Sequence, residues 1–245
     1  MMSMKKNLRN ASREGLNIID ELAAYMVATL VNYSPAARRR IKVAGSVADY
    51  FQKLSPYSPI TIYGSREQLW KYILRTEFSS EDVNNFGIYE FGVAWGYLTE
   101  WWTMRLKNKK YTWHGFDRFT GLPRAWEDSP EGAFSANGSI PPLNNPQIVW
   151  HVGNVEDKLP DLKLEVESSH SKRIIFFDLD IYEPTKAAYN YLKSTLKPGD
   201  ILYFDEARMD DEWKLLEEEI LQDFDFFFLG ATFNCLAIKI KSTRA

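Results

Sequence analysis

Cysteine is almost missing from the chain. Its 245 residues include one, Cys235, so no disulfide framework can form within a single copy. Cys235 lies in an apolar, strand-like run with no cation near it in sequence, which reads as a buried structural thiol and not a nucleophile. An excess of either charge is also lacking. With 30 Lys+Arg against 33 Asp+Glu the net charge is −3, which leaves no electrostatic footprint for nucleic acid. The one dense basic cluster, Arg38-Arg39-Arg40, reads as a solvated helix end or loop, with a phosphate or membrane patch as the alternative. Long apolar runs are absent too. Asp20 and Glu21 interrupt the stretch from Leu16 to Val31, which is too short and too charged to span a bilayer. The start, Met1 to Lys6, has no signal-peptide core. A cytoplasmic protein with no membrane partner is expected. Histidine is scarce: His114 and His151 fall inside expected strands as structural residues, and His170 falls in a polar loop, where exposure is expected.

What remains is ordinary globular material, 45% apolar and 26% charged, enough for one sizeable domain with a small helical attachment. Residues 1 to about 80 read as helical. Leu16, Ile19, Leu22, Ala23, Met26, Val27 and Leu30 give one apolar face. Ser34-Pro35 ends that helix, Ser55 to Pro59 is a proline-punctuated linker, and a further helix is expected over Ser65 to Thr76. We therefore divide the chain into a helical extension, residues 1–58, and a main domain, 59–245. The apolar helix face in the extension would suit a homo-oligomer.

From residue 87 short apolar runs alternate with helical ones. Strands are expected at Gly87–Phe91, Tyr111–Phe116, Ile148–Val152, Arg173–Phe177 and Ile201–Phe204. Helices are expected at Tyr97–Lys107, Glu183–Leu196 and Asp211–Leu221. Two final strand-like runs, Phe224–Leu229 and Cys235–Ile240, are joined by too few residues to be parallel. The fold class is α/β: a Rossmann-like, mostly parallel sheet closed by a C-terminal antiparallel hairpin. That hairpin leans toward methyltransferases and away from plain dinucleotide-binding folds. One segment breaks the rhythm. Thr120 to Gln147 is rich in Pro, Gly, Ser and Asn, and follows the second strand at the sheet's carboxyl edge. It is placed as a lid over a ligand, with an idle surface loop as the alternative.

The turn Glu90-Phe91-Gly92-Val93-Ala94-Trp95-Gly96 joins a strand to a helix. Its glycines permit a tight turn and close approach of a ligand. Their spacing differs from the dinucleotide fingerprint. An acidic residue ahead of the first glycine suits a ligand bearing an ammonium group, as S-adenosylmethionine (SAM) does, and would repel a pyrophosphate. Asp117, after the second strand, stands where a carboxylate can meet ribose hydroxyls, or it is a turn residue. Asn154, after the third, offers an amide to adenine, or belongs to an ordinary turn.

Four ordered strings carry a resemblance: Tyr89 to Gly96, Gly115-Phe116-Asp117-Arg118-Phe119-Thr120-Gly121-Leu122-Pro123, Phe177-Asp178-Leu179-Asp180-Ile181-Tyr182-Glu183-Pro184-Thr185, and Pro198-Gly199-Asp200 with Asp205-Glu206. Over roughly residues 60–240 the chain resembles the macrocin O-methyltransferase family, class I SAM-dependent enzymes that methylate sugar hydroxyls on natural products, some with magnesium. The resemblance implies that Glu90, Phe91, Gly92 and Gly96 line the methionine end of SAM. It implies that Asp117, Arg118, Asn154 and Asp178 line the rest. It places Tyr63 and Arg66 in a strap over the methionine, with Arg66 pairing the SAM carboxylate; a solvated arginine is the alternative. The acceptor implied is a small molecule, a sugar or glycosylated natural product. Where the family shows two adjacent aspartates, this chain has Asp205-Glu206, whose longer arm would shift an ion.

Asp178 and Asp180 end one expected strand, Asp205 and Glu206 the next. Carboxylates gathered at one edge raise one another's pKa unless a cation intervenes. Mg²⁺ on Asp180, Asp205 and Glu206 would fit, with helix capping as the bland alternative. Asp180 is the expected catalytic base. Trp95, Trp126, Phe134 and Trp213 are candidates for the acceptor's apolar faces. Two rivals stand: an NAD(P)-dependent oxidoreductase on the same sheet, and a non-catalytic SAM-binding module.

Overall fold

A computed structural model describes residues 35–54, 59–79, 85–163 and 169–244. The chain forms two compact units, Met1–Val47 and Ala48–Ala245. The described part of the first belongs to helix α1 (Pro35–Phe51), which holds the Arg38–Arg40 cluster. Pro35 opens this helix, at a position where a missing N–H and a fixed φ suit the first turn. The apolar helix expected over Leu16–Leu30, and residues 55–58 of the expected linker, lie outside the described residues.

In the second unit, helix α2 (Arg66–Glu77) starts at Ser65, whose hydroxyl caps the amide of Gln68. Then follow β1 (Phe86–Phe91), α3 (Tyr97–Thr103), β2 (Tyr111–Asp117), β3 (Ile148–Val152) and the short α4 (Val155–Lys158). The chain continues through β4 (Arg173–Phe177), α5 (Tyr182–Lys193), β5 (Ile201–Phe204), α6 (Asp210–Leu215), β6 (Phe224–Ala231) and β7 (Leu236–Thr243). A wider π-helical turn, Leu216–Ile220, carries α6 on toward β6 where an unbroken helix is expected. Helix α3 stops at Thr103, short of the expected Lys107.

The sheet has seven strands in the order β3-β2-β1-β4-β5-β7-β6. The first five pair in parallel, and β7 runs antiparallel to both β5 and β6. This is the expected Rossmann-like sheet with its C-terminal hairpin. Every residue of β1, β4 and β5 is buried, as central parallel strands covered on both faces require. Trp70, Trp102, Trp113, Phe176 and Tyr203 form the aromatic heart of the core. Strand order reverses beside β1, so a crevice opens at the carboxyl ends of β1 and β4.

At the opposite edge, Arg173 and Asp200 form a fully buried ion pair at 2.5 Å. His170 also lies here and is buried, against expectation: its ring faces Tyr89 and its carbonyl accepts from Lys197. His114 and His151 stack within the sheet, as structural residues do. No helix among the described residues is long and apolar enough to cross a membrane.

Candidate active site

A cavity of about 740 Å³ occupies the crevice. Nine carboxylates and three arginines line it, with Trp95 of the glycine turn and Trp126 and Phe134 of the long loop. Trp95 is 64% exposed and Phe134 42%, so two large apolar faces stand open to whatever enters. Trp213 does not line the cavity; its ring packs on Tyr50, with centroids 4.5 Å apart.

The glycine turn is built by close approach of protein to protein. A Cβ on Gly92 (φ +93°) would stand 1.7 Å from the carbonyl oxygen of Asp178, where β1 and β4 diverge. A Cβ on Gly96 (φ +80°) would meet Pro141 of the long loop at 2.7 Å, and Gly96 does not line the cavity. Chain packing alone accounts for Gly96, which corrects the expectation that it lines the ligand site, whereas Gly92 both packs against Asp178 and lines the cavity. Phe91 is likewise a core residue, stacked between Phe116 and Phe177. Tyr63 packs over Gly230 and against Tyr72 and is not at the cavity.

The turn's amides have acceptors already. Gly92 N–H donates to Phe116 O (3.0 Å) and Gly96 N–H to Val93 O (2.8 Å). Val93 and Ala94 N–H both donate to Asp117 Oδ2 at 2.7 Å. Asp117 Oδ1 accepts from Phe119 N–H at 2.5 Å. Asp117 therefore lines the cavity as the internal anion of the turn, with acceptor capacity left mainly on Oδ1 for a hydroxyl. Asn154 also lines it, but its amide donates to Asp157 (3.0 Å). Arg118 lines it too.

Beneath the turn, Glu90 is fully buried. Its Oε2 accepts from Thr99 and from Trp113 Nε1 (2.9 Å), while Oε1 has no hydrogen-bond partner among the described residues. Burial pushes its pKa up to about 8, and the two hydrogen bonds offset this only in part.

The acidic residues at the ends of β4 and β5 do come together. Burial first, then Asp205 and Asp180, push Asp178 well above the usual carboxylate range. Burial and Asp205 lift Asp180 to about 6. Burial, Asp205 and Asp180 lift Glu206 to about 7. Asp180 is held at φ +62°, a strained conformation for a residue with a Cβ. Asp205 Oδ1 accepts from Tyr203 O–H (2.9 Å) and the Cys235 thiol (3.4 Å), while Oδ2 pairs with Arg66 (3.0 Å). Glu206 accepts from Asn234 at 2.8 Å. Cys235 is buried, as expected of a structural thiol.

Sequence reading missed Glu212. It is buried, accepts the Glu206 amide (3.1 Å), leaves Oε1 unpartnered among the described residues, and is pushed well up by burial and by Asp178, Asp205 and Asp180. An acid in a surface-type helix gives no signal of this.

The long loop is ordered by its own hydrogen bonds, Leu122 to Ala133 and Trp126 to Ser129 among them. It brings Leu122, Pro123, Arg124, Trp126 and Phe134 to the cavity, where Arg124 pairs with Glu183 at 3.0 Å.

For the oxygen-rich end the donor set suits a hard divalent cation. Among the described residues, however, no three His, Cys, Asp or Glu side chains are gathered as a metal site. Arg66 supplies the local positive charge instead. For an ammonium-bearing ligand, the orphaned Glu90 Oε1 is a fitting partner.

The sheet order and the crevice define the class: a class I methyltransferase fold. One likeness to a solved structure supports the fold at that level. The crystal structure of CalS11, a calicheamicin methyltransferase, superposes with a TM-score of 0.52 at 22% identity, covering 71% of this chain and 76% of that one. The O-methyltransferase NovP gives a weaker likeness, TM-score 0.49 at 14% identity over 71% of this chain and 80% of that one. No protein-family model matches the sequence, and no curated protein matches it.

Proposed function

We propose that the chain is a SAM-dependent O-methyltransferase acting on a hydroxyl of a sugar or other small-molecule natural product, with residues 59–245 as the catalytic domain. One observation carries the choice of donor. A dinucleotide site offers free turn amides to a pyrophosphate. Here Asp117 occupies two of them, and a buried carboxylate oxygen without a partner waits behind. That arrangement repels an anion and receives a cation. The fold shared with CalS11, a calicheamicin methyltransferase, and the resemblance to the macrocin family point the same way.

SAM, when bound, supplies a methyl group on a sulfonium for in-line displacement by an acceptor oxygen. In this reading Glu90 Oε1 holds the ammonium, Asp117 Oδ1 a ribose hydroxyl, and Arg66 the carboxylate. Arg118 and Asn154 line the adenine side. Asp180 takes the proton from the acceptor hydroxyl; a pKa of about 6 leaves it mostly ionised, yet basic enough, near neutral pH. Trp95, Trp126 and Phe134 cover the acceptor's apolar faces and exclude water. A magnesium ion held by Asp180, Asp205 and Glu206 would lower the hydroxyl's pKa, but among the described residues these carboxylates are not gathered as a metal site and Arg66 stands on Asp205 Oδ2.

Calorimetry with S-adenosylhomocysteine and with NAD separates this reading from an oxidoreductase. Binding of the first alone is expected; tight binding of NAD alone would overturn the proposal.

A further inference from the structure

Depth sorts the charges of the cavity. At its inner end Glu90 is fully buried and the Asp205 side chain is 8% exposed. Of the three lining arginines, Arg66 turns onto Asp205, and Arg118 follows Asp117 on the donor side. Arg124 belongs to the mouth, with its side chain 49% exposed. The loop that carries it is held by its own bonds. Leu122 N–H donates to Ala133 O and Gly132 N–H to Leu122 O, both at 2.9 Å, and Trp126 and Ser129 exchange bonds of 2.9 and 2.8 Å. The fully buried Phe119, packed with Val93 and Ala136, anchors its base. Arg124, Trp126 and Phe134 thus reach the cavity from one pre-formed stretch of backbone: a planar cation and two aromatic rings.

The present partner of Arg124 does not depend on it. Glu183 stands in the first turn of α5, where the helix's positive end favours a carboxylate. Arg124 first, then the backbone N–H of Glu183 itself and the charge of Lys214, hold this carboxyl below its usual range. The last two remain if Arg124 turns away. The Glu183 side chain is 67% exposed, and an ion pair so open to water contributes little. Apart from Glu183, the guanidinium donates among the described residues to Ala125 O alone, at a long 3.4 Å.

We propose that the acceptor carries an anionic group, a phosphate or a carboxylate, and that Arg124 selects it by exchanging Glu183 for that anion. The proposal deepens the methyltransferase reading above and rests on it. Either anion can take two parallel N–H bonds from the guanidinium. Rings of the acceptor laid on Trp126 and Phe134 would exclude water from the new pair, which makes it stronger than the open pair with Glu183. An anion held at the mouth leaves the hydroxyl end of the acceptor pointing inward, toward Asp180.

The test is calorimetry on the full chain saturated with S-adenosylhomocysteine, with methyl glucoside, glucose 1-phosphate and glucuronate as probes. One charged sugar is expected to bind about 10-fold or more tighter than the neutral one, as a charge-assisted hydrogen bond provides. Which of the two it is tells phosphate from carboxylate. Arg124→Gln should erase the preference and Arg124→Lys keep part of it. Glu183→Gln removes the competitor and should enlarge it about 3-fold. S-adenosylhomocysteine affinity should be the same in all three variants, which reports an intact cavity. Equal binding of charged and neutral sugars, binding of none of the three, a preference that survives Arg124→Gln, or one that Glu183→Gln weakens would overturn the anion proposal and leave the donor assignment standing. A wild type that binds no S-adenosylhomocysteine would overturn both.

Discussion

Replacing Glu90 by glutamine should separate the charge of the donor pocket from its shape. The pKa of Glu90 stands at about 8 against an ordinary 4.5. At ~1.4 kcal/mol per unit, ionising it with no ligand costs on the order of 5 kcal/mol. An ammonium seated at Oε1 requires the ionised form. About 1% of the free protein carries it at pH 6 and about half at pH 8, so affinity for S-adenosylhomocysteine should rise roughly 50-fold across that interval. Each binding event near pH 6 should release about one proton, read by calorimetry in buffers of different ionisation heat. Glu90→Gln keeps the acceptor for Thr99 and Trp113 and should lose most of the affinity at pH 8, together with the pH slope. Stability gives an independent check of sign. The unfolded chain ionises Glu90 above pH 4.5, while the folded chain holds the proton to about 8. The protonated group's stabilising share is therefore complete below pH 4.5 and is lost as pH rises through 8. Relative to wild type, the variant should gain several kcal/mol between roughly pH 4 and pH 9. Equal affinity and equal pH slope in wild type and variant would refute the reasoning.

Other consequences are as direct. Asp180→Asn should lower kcat by ~100-fold or more, as loss of a general base does, with S-adenosylhomocysteine affinity unchanged; unimpaired turnover would remove Asp180 as the base and favour a non-catalytic module. Gly92→Ala forces a Cβ into the Asp178 carbonyl at positive φ and should cost ~4 kcal/mol or more in urea denaturation; a loss below ~1 kcal/mol would contradict the packing described. Arg173→Met strands the buried Asp200 charge and should cost ~3–5 kcal/mol while leaving ligand affinity intact, because the pair lies at the opposite edge of the sheet. Activity should fall on EDTA treatment and return with Mg²⁺; activity unchanged by EDTA would remove the ion and keep the donor.

The sheet was legible because its strands are apolar on both faces and separated by helical patterns or turn signals. The bounds of β3, β4 and β5 follow directly from such runs. The short link before β7 gave the hairpin its direction. What a single strand cannot reveal is which neighbour stands against each residue. Gly92 and Gly96 were visible as special positions, but their reasons, the Asp178 carbonyl and Pro141, come from distant segments. Phe91 and Tyr63 lie beside ligand-facing positions in sequence, yet Phe91 points into the core and the half-buried Tyr63 packs against its edge. Arg66 was found as a cation near the donor, yet its pairing with Asp205 crosses 139 positions. Glu212 carried no periodic mark at all. His170 sits in a polar stretch but is drawn inward at the strand ends, where Tyr89 and Lys197 meet it.

A crystal structure of the chain with S-adenosylhomocysteine tests the assignment most directly. Density should run along residues 92–95 with the amino group at Glu90 Oε1 and the Asp117 bonds to Val93 and Ala94 intact. An anion on those two amides, with Asp117 displaced and no ligand nitrogen near Glu90, would mean that the crevice was built for a phosphate-bearing compound instead.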